Sequence, residues 1–133
     1  MKYLIDTNIC IYIMNNHPDN TINRFKQLEL GDIGVSTVSI SELQYGVSKS
    51  RHREENQIRL EEFLAPLEIC PYDKTAASAY GDIRSHLEKI GKLIGPLDML
   101  IAAQALGHGW TLVTNNEDEF KRVKGLKVQN WTK

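Results

Sequence analysis

The sequence predicts a three-layer α/β/α domain built on a mainly parallel central sheet. Three observations carry that expectation. Short apolar, β-favouring runs alternate with segments whose apolar residues recur at helical spacing, the pattern of strands joined by crossover helices. The 133 residues hold no linker-like tract, repeat or long charge run, so a single domain over 1–133 accounts for the whole length. Acidic residues follow several of the runs, where an open α/β sheet presents its ligand-binding edge.

Tyr3-Leu4-Ile5 reads as a buried strand that stops at Asp6. Ile9, Ile11, Tyr12 and Met14 then recur at helical spacing, making Asp6-Thr7-Asn8 a strand-to-helix turn whose side chains suit capping. His17-Pro18-Asp19 breaks and restarts the pattern, and Ile22, Phe25 and Leu28 give the second helix an apolar stripe. After Leu30-Gly31-Asp32, the β-favouring run Ile33 to Thr37 is a second strand. Ser39-Ile40-Ser41-Glu42 has the spacing of a capping box, which places Glu42 in the first turn of a short helix bearing Leu43, Tyr45 and Val47 and closing near Gly46. A polar loop becomes the helix of Ile58, Leu60, Phe63 and Leu64. Leu67 to Cys70, between two prolines, is a third strand, and Asp73 to Ile90 is the longest helix, with Ala76, Tyr80, Ile83, Leu87 and Ile90 as its core stripe. The Gly95-Pro96 loop delivers a helix over Leu97 to Leu106, apolar around its circumference and so expected to be buried, with Asp98 in its first turn. Trp110 to Thr114 is the fourth strand, Asn116-x-x-Glu119 is a further cap arrangement, and Leu126 to Val128 is the last strand.

Composition excludes several classes. Hydrophobic content of 41% and charged content of 25% are those of a folded domain. No stretch approaches the roughly 18 apolar residues of a membrane helix, and the amino terminus lacks a basic segment leading into an apolar core, so a cytoplasmic protein is expected. Cys10 and Cys70 form no Cys-x-x-Cys pair and read as small buried apolar residues; His17, His52, His86 and His108 are not paired at ligand spacing, which argues against zinc. A net charge of −1 removes the usual mark of a nucleic-acid binder. A polyanionic substrate would need bound cations or a local basic patch, for which Lys49, Arg51, His52, Arg53 and Arg59 are the candidates, although such residues are more often a solvated face.

Asp6, Glu42 and Glu119 each follow a predicted strand at the beginning of a helix, and in a parallel sheet those turns share one edge. Sequence spacing does not place Asp98 with them. A carboxylate opening a buried helix nevertheless needs a partner, because an unpaired charge away from water is costly. Each acid alone is a plausible helix cap; together they would make an acidic pocket in which like charges raise one another's pKa unless a cation intervenes. Oxygen ligands without Cys or His favour Mg²⁺ or Mn²⁺.

Over nearly its full length the chain resembles the PIN-domain ribonucleases, specifically the VapC toxins of type II toxin–antitoxin pairs. The matching residues are Leu4-Ile5-Asp6-Thr7-Asn8, Ser41-Glu42-Leu43 with Tyr45-Gly46, Gly95-Pro96-Leu97-Asp98 with Ile101-Ala102-Ala103, Val113-Thr114-Asn115-Asn116 with Glu119-Phe120, and the final Asn130-Trp131. Their order and spacing make the resemblance specific. It implies a PIN-like α/β/α fold and a metal site formed by Asp6, Glu42, Asp98 and Glu119, with Thr7, Asn8, Thr114 and Asn116 around it. Asn116 stands where many PIN domains carry Asp, and supplies an oxygen without a charge. The fourth carboxylate therefore falls to Glu119, and a second metal would bind less tightly.

The implied function is a Mg²⁺-dependent endoribonuclease (Mn²⁺ being the alternative ion) that arrests translation by cutting a transfer RNA, often initiator tRNA at its anticodon loop. Also implied are a homodimer, a cognate VapB-like antitoxin, and promoter DNA bound only through that antitoxin. One rival is a catalytically silent RNA- or protein-binding PIN module, which would be expected to have lost pocket acids. Another is a different phosphoryl-transfer enzyme of the Asp-x-Asp type, against which Asn8 lacks the second acid's charge.

Overall fold

The computed structural model describes residues 1–15 and 20–132; the side chains of 20–22 and 30 lie outside that description. The restart expected at His17-Pro18-Asp19, and Ile22 as part of a stripe, therefore fall outside the described residues. Five short strands, β1 (Tyr3–Ile5), β2 (Ile33–Ser36), β3 (Glu68–Cys70), β4 (Thr111–Val113) and β5 (Lys127–Gln129), form one sheet in the order β3-β2-β1-β4-β5. Every pairing is parallel, and Ile5 is level with Val35 on one side and Val113 on the other. β1 is thus central, and its residues are apolar because helices cover both faces of such a sheet.

The helices are α1 (Thr7–Met14), α2 (Asn20–Gln27), α3 (Thr37–Ser48), α4 (Arg53–Leu64), α5 (Lys74–Lys89), α6 (Pro96–His108) and α7 (Glu117–Phe120). The period of two along each strand divides the core. Leu4 and Leu112 join Ile83 and Leu87 of α5, Ile101 to Ala103 of α6 and Phe120 of α7. Ile5, Val35 and Val113 join Ile9 and Ile13 of α1, Leu43 and Val47 of α3, Leu60 of α4 and Trp131 on the opposite face. That is the expected three-layer arrangement. Cys10 and Cys70 are buried and free, as their apolar reading requires.

Several local expectations are corrected. The second strand ends at Ser36, and Thr37 already belongs to α3. The cap of α3 is Ser36, whose hydroxyl accepts from the Val38 N–H at 3.0 Å; Ser39 lies inside the helix, fully buried, so the Ser39–Glu42 capping box does not form. Ser36, expected inside the strand, caps instead because at the end of β2 its backbone is still extended (φ −71°, ψ 144°). Glu42 consequently sits in the second turn of α3, and the helix runs past Gly46 to Ser48. Asn116 is the cap residue of α7 but makes no side-chain cap bond. Ile90, placed in the core stripe of α5, is 45% exposed just beyond the helix end.

Candidate active site

The strand order places a topological switch between β1 and β4. From β1 the chain builds outward through β2 to β3, then returns to the other side of β1 to lay down β4 and β5. Helices leave the carboxyl ends of neighbouring strands on opposite sides there, opening the crevice in which α/β sheets bind ligands. Asp6 and Thr114 are the residues directly after β1 and β4.

Asp6 is held on both its backbone and its side chain. Its N–H donates to the Val113 carbonyl at 3.0 Å, and its carboxylate accepts from the Ile9 N–H at 2.9 Å, capping α1 as expected. The Thr114 hydroxyl also bonds this carboxylate while accepting from the Asn116 N–H at 2.9 Å. Asp6 is only 3% exposed. Burial pushes its pKa up to about 6, the Thr114 and Ile9 bonds oppose that rise, and the charge of Glu42 adds to it. The side chain of Glu42, half-buried on α3, accepts the Thr7 hydroxyl at Oε1 over 2.7 Å, leaving Oε2 for other work.

Asp98, the acid that spacing left unplaced, completes the group. Pro96 opens α6 and Asp98 follows in its first turn. Burial raises its pKa to about 7, reinforced by the charge of and a hydrogen bond with Glu119 and by the charges of Asp6 and Glu42. Glu119 moves the other way. Burial would raise it, but the Gly95 N–H at 2.9 Å, the Asn116 side-chain amide, the bond with Asp98 and the charge of Arg122 together hold it below the usual carboxylate value. The contact between them thus favours the protonated form of Asp98 and the ionised form of Glu119. Asn8, by contrast, is exposed and its side chain makes no hydrogen bond among the described residues.

Two contributors were not legible as such. Gly95 read as punctuation, yet its N–H bonds Glu119, and a Cβ there would lie 3.2 Å from Asp98 Oδ2, close enough to press on that carboxylate. Gln104, fully buried in α6, accepts the Ser36 hydroxyl and donates to the Cys70 carbonyl at 3.0 Å, tying α6 to the ends of β2 and β3. Its signal was a lone amide in an apolar helix.

The donor set fits a hard divalent cation. All four groups are carboxylates, and the ion pairs present among the described residues, Arg84–Glu88 and His108–Asp73, leave them without a bonded cation. No three such groups among the described residues converge closely enough to enclose an ion by themselves. An ion here would keep water or take phosphate oxygens to fill its shell, the habit of Mg²⁺. Lys49, Arg51, His52, Arg53 and Arg59 are all exposed, and Arg59 and Glu42 both line a groove between α1, α3 and α4.

The PIN domain family model matches residues 3–126. Ribonuclease VapC2 of Rickettsia felis is 46% identical over the whole of both chains. The tRNA(fMet)-specific endonuclease VapC of Shigella flexneri is 39% identical over 99% of each. The crystal structure of VapBC2 from Rickettsia felis bound to a promoter DNA fragment contains a chain that superposes with a TM-score of 0.92 at 45% identity, covering 98% of this chain and 99% of that one.

Proposed function

The chain belongs to the PIN-domain family and, within it, to the VapC ribonucleases, and from that premise we propose that it is the toxin of a type II toxin–antitoxin pair, a Mg²⁺-dependent endoribonuclease that cuts tRNA at the acidic pocket. What supports the reading is that the charges of Glu119, Asp6 and Glu42 all act on Asp98 beside the switch point of the sheet, with none of the four acids in an ion pair among the described residues. Carboxylates whose charges add to the upward push on Asp6 and Asp98 are a poor structural device, and a bound cation would relieve them.

Asp6 and Asp98 are assigned as the principal metal ligands, with Glu119 completing the set. Bound there, a divalent ion supplies Lewis-acid charge for the phosphodiester and an acidified water. Glu42 is assigned as the base that takes the proton of the attacking water, through Oε2, since Oε1 is engaged by Thr7. Thr114 orients Asp6, and Asn116 together with the Gly95 N–H orients Glu119, so that neither carboxylate spends substrate binding energy on finding its rotamer. Attack on phosphorus by water leaves a 5′-phosphate and a 3′-hydroxyl.

The name of the Shigella flexneri relative supports a tRNA substrate, initiator tRNA foremost. The Rickettsia felis complex supports a VapB-like antitoxin partner, with promoter DNA reached through it. A homodimer is proposed on the family resemblance. The test is to incubate the purified protein with total tRNA across a Mg²⁺ titration and map new 5′ ends, then repeat with Asp6→Asn and Asp98→Asn. Cleavage that vanishes with chelator and falls at least about a hundredfold in both variants supports the reading. Variants that cut like the parent would overturn the site, and tRNA retained without cleavage would favour a silent binding module.

A further inference from the structure

Among the large apolar side chains of the described residues, Tyr45 is the most exposed, at 66%, and it stands one turn beyond Glu42 on α3. Residues three and seven apart share a helix face, so Glu42, Tyr45 and Lys49 make one stripe leading away from the acids, with Tyr45 about 4.5 Å along the axis from Glu42. The Lys49 ammonium lies 4.9 Å from the centre of the Tyr45 ring, a cation–π contact that restrains an otherwise free side chain. Gly46 belongs to the same stripe. Glycine weakens a helix interior, and here a Cβ would meet nothing within 4 Å, so no contact inside this chain requires it. Gly46 also lines the groove that Glu42 enters. A single exposed aromatic is ordinary. One that is restrained by a cation, bordered by an unneeded glycine and one turn from a carboxylate of the pocket calls for an occupant.

We propose that Tyr45, with Lys49, is a stacking platform for an unpaired base of the RNA substrate beside the scissile phosphate, a specificity-determining position that selects single-stranded loops over duplex. This rests on the ribonuclease reading above. An aromatic face accepts any base, and a neighbouring cation meets the backbone, the combination by which proteins hold single strands. A paired base cannot present its face, so the platform reads strandedness and leaves base identity to other contacts.

The test compares the parent protein with Tyr45→Ala, Tyr45→Phe and Lys49→Gln. The probes are an RNA hairpin with an unpaired loop and a blunt duplex of the same composition, with binding measured in Ca²⁺ and cleavage in Mg²⁺. Tyr45→Ala should weaken hairpin binding and raise KM about tenfold or more, as loss of one stacked base does, with kcat little changed and duplex binding unaltered. Tyr45→Phe should stay within about twofold because the ring is kept. Lys49→Gln should reduce the salt slope of hairpin binding by about 0.7, one phosphate's share on a single strand. Equal melting temperatures exclude misfolding. A parent that cuts the hairpin while Tyr45→Ala cuts it with unchanged KM overturns the platform and leaves the nuclease standing. Weakened assembly with the antitoxin and unchanged RNA binding also overturns it, by making this a protein contact. A parent that neither binds nor cuts either RNA removes both readings.

Discussion

At the scale of single residues, Asp6 and Asp98 are costly to the fold that carries them. An acid whose folded pKa is raised binds a proton that the unfolded chain has already released, so its ionisation opposes folding. For Asp6, raised to about 6 by burial, that cost is absent below about pH 4, grows through the interval and is complete above pH 6, amounting to roughly 3 kcal/mol. Asp98 extends the interval to about pH 7. Glu119, held below its ordinary value, acts in the opposite sense, and its contribution is lost only on acidification below that interval. In chelator, thermal melts should therefore fall steadily as the pH is raised from about 4 to 7, and Mg²⁺ should recover most of the loss. Asp98→Asn should flatten the upper part of the profile and melt above the parent at pH 8 while being inactive, since removing a like charge relieves the pocket that catalysis needs. A chelated protein whose melting temperature does not change across that range would show that these carboxylates are not held against their charge.

At the scale of elements, what could be read from the chain was the existence and type of each strand and helix; what could not was where one hands over to the next. Asp6 was legible as a cap because a single acid stands between an apolar triplet and a helical pattern, and it caps α1. The cap of α3 was placed at Ser39 rather than Ser36, because the Ser-x-x-Glu spacing is a local signal while only pairing of β2 with its neighbours decides which residue keeps an extended backbone. Asp98 could not be located for a related reason: it follows a loop between two helices, and its distance from Asp6 is set by how α6 docks on the sheet. Docking of α6 depends in part on the Ser36–Gln104–Cys70 chain of bonds. Ser36→Ala would remove a helix cap and leave the Gln104 carbonyl oxygen buried without its donor, at a cost of about 2–4 kcal/mol. Activity should drop as well, since α6 carries Asp98. Chemical denaturation of the variant checks the first expectation, and cleavage assayed under conditions where the variant is still fully folded checks the second.

At the scale of the whole molecule, a chain of net charge −1 with Asp6, Glu42, Asp98 and Glu119 at the proposed site repels the polyanion it is proposed to cut. Two features would oppose that repulsion: the exposed basic residues of the α3–α4 region, and the cations that the proposed metal site would take up. They act over different distances and are separable. The exposed lysine and arginine contacts weaken with salt, since each phosphate they neutralise releases counterions, whereas the pocket responds to divalent ion. RNA affinity measured in chelator should therefore be weak and steeply salt-dependent. Adding Ca²⁺ should tighten it at least about tenfold at fixed ionic strength, because the pocket changes from a centre of like charge to a ligand for phosphate. In Asp6→Asn the gain on adding Ca²⁺ should shrink while the salt slope stays as in the parent, for the basic face is untouched. If Ca²⁺ gives the same gain in both proteins, the ion acts on the RNA or elsewhere on the surface, and the acids at the switch point have no part in holding substrate.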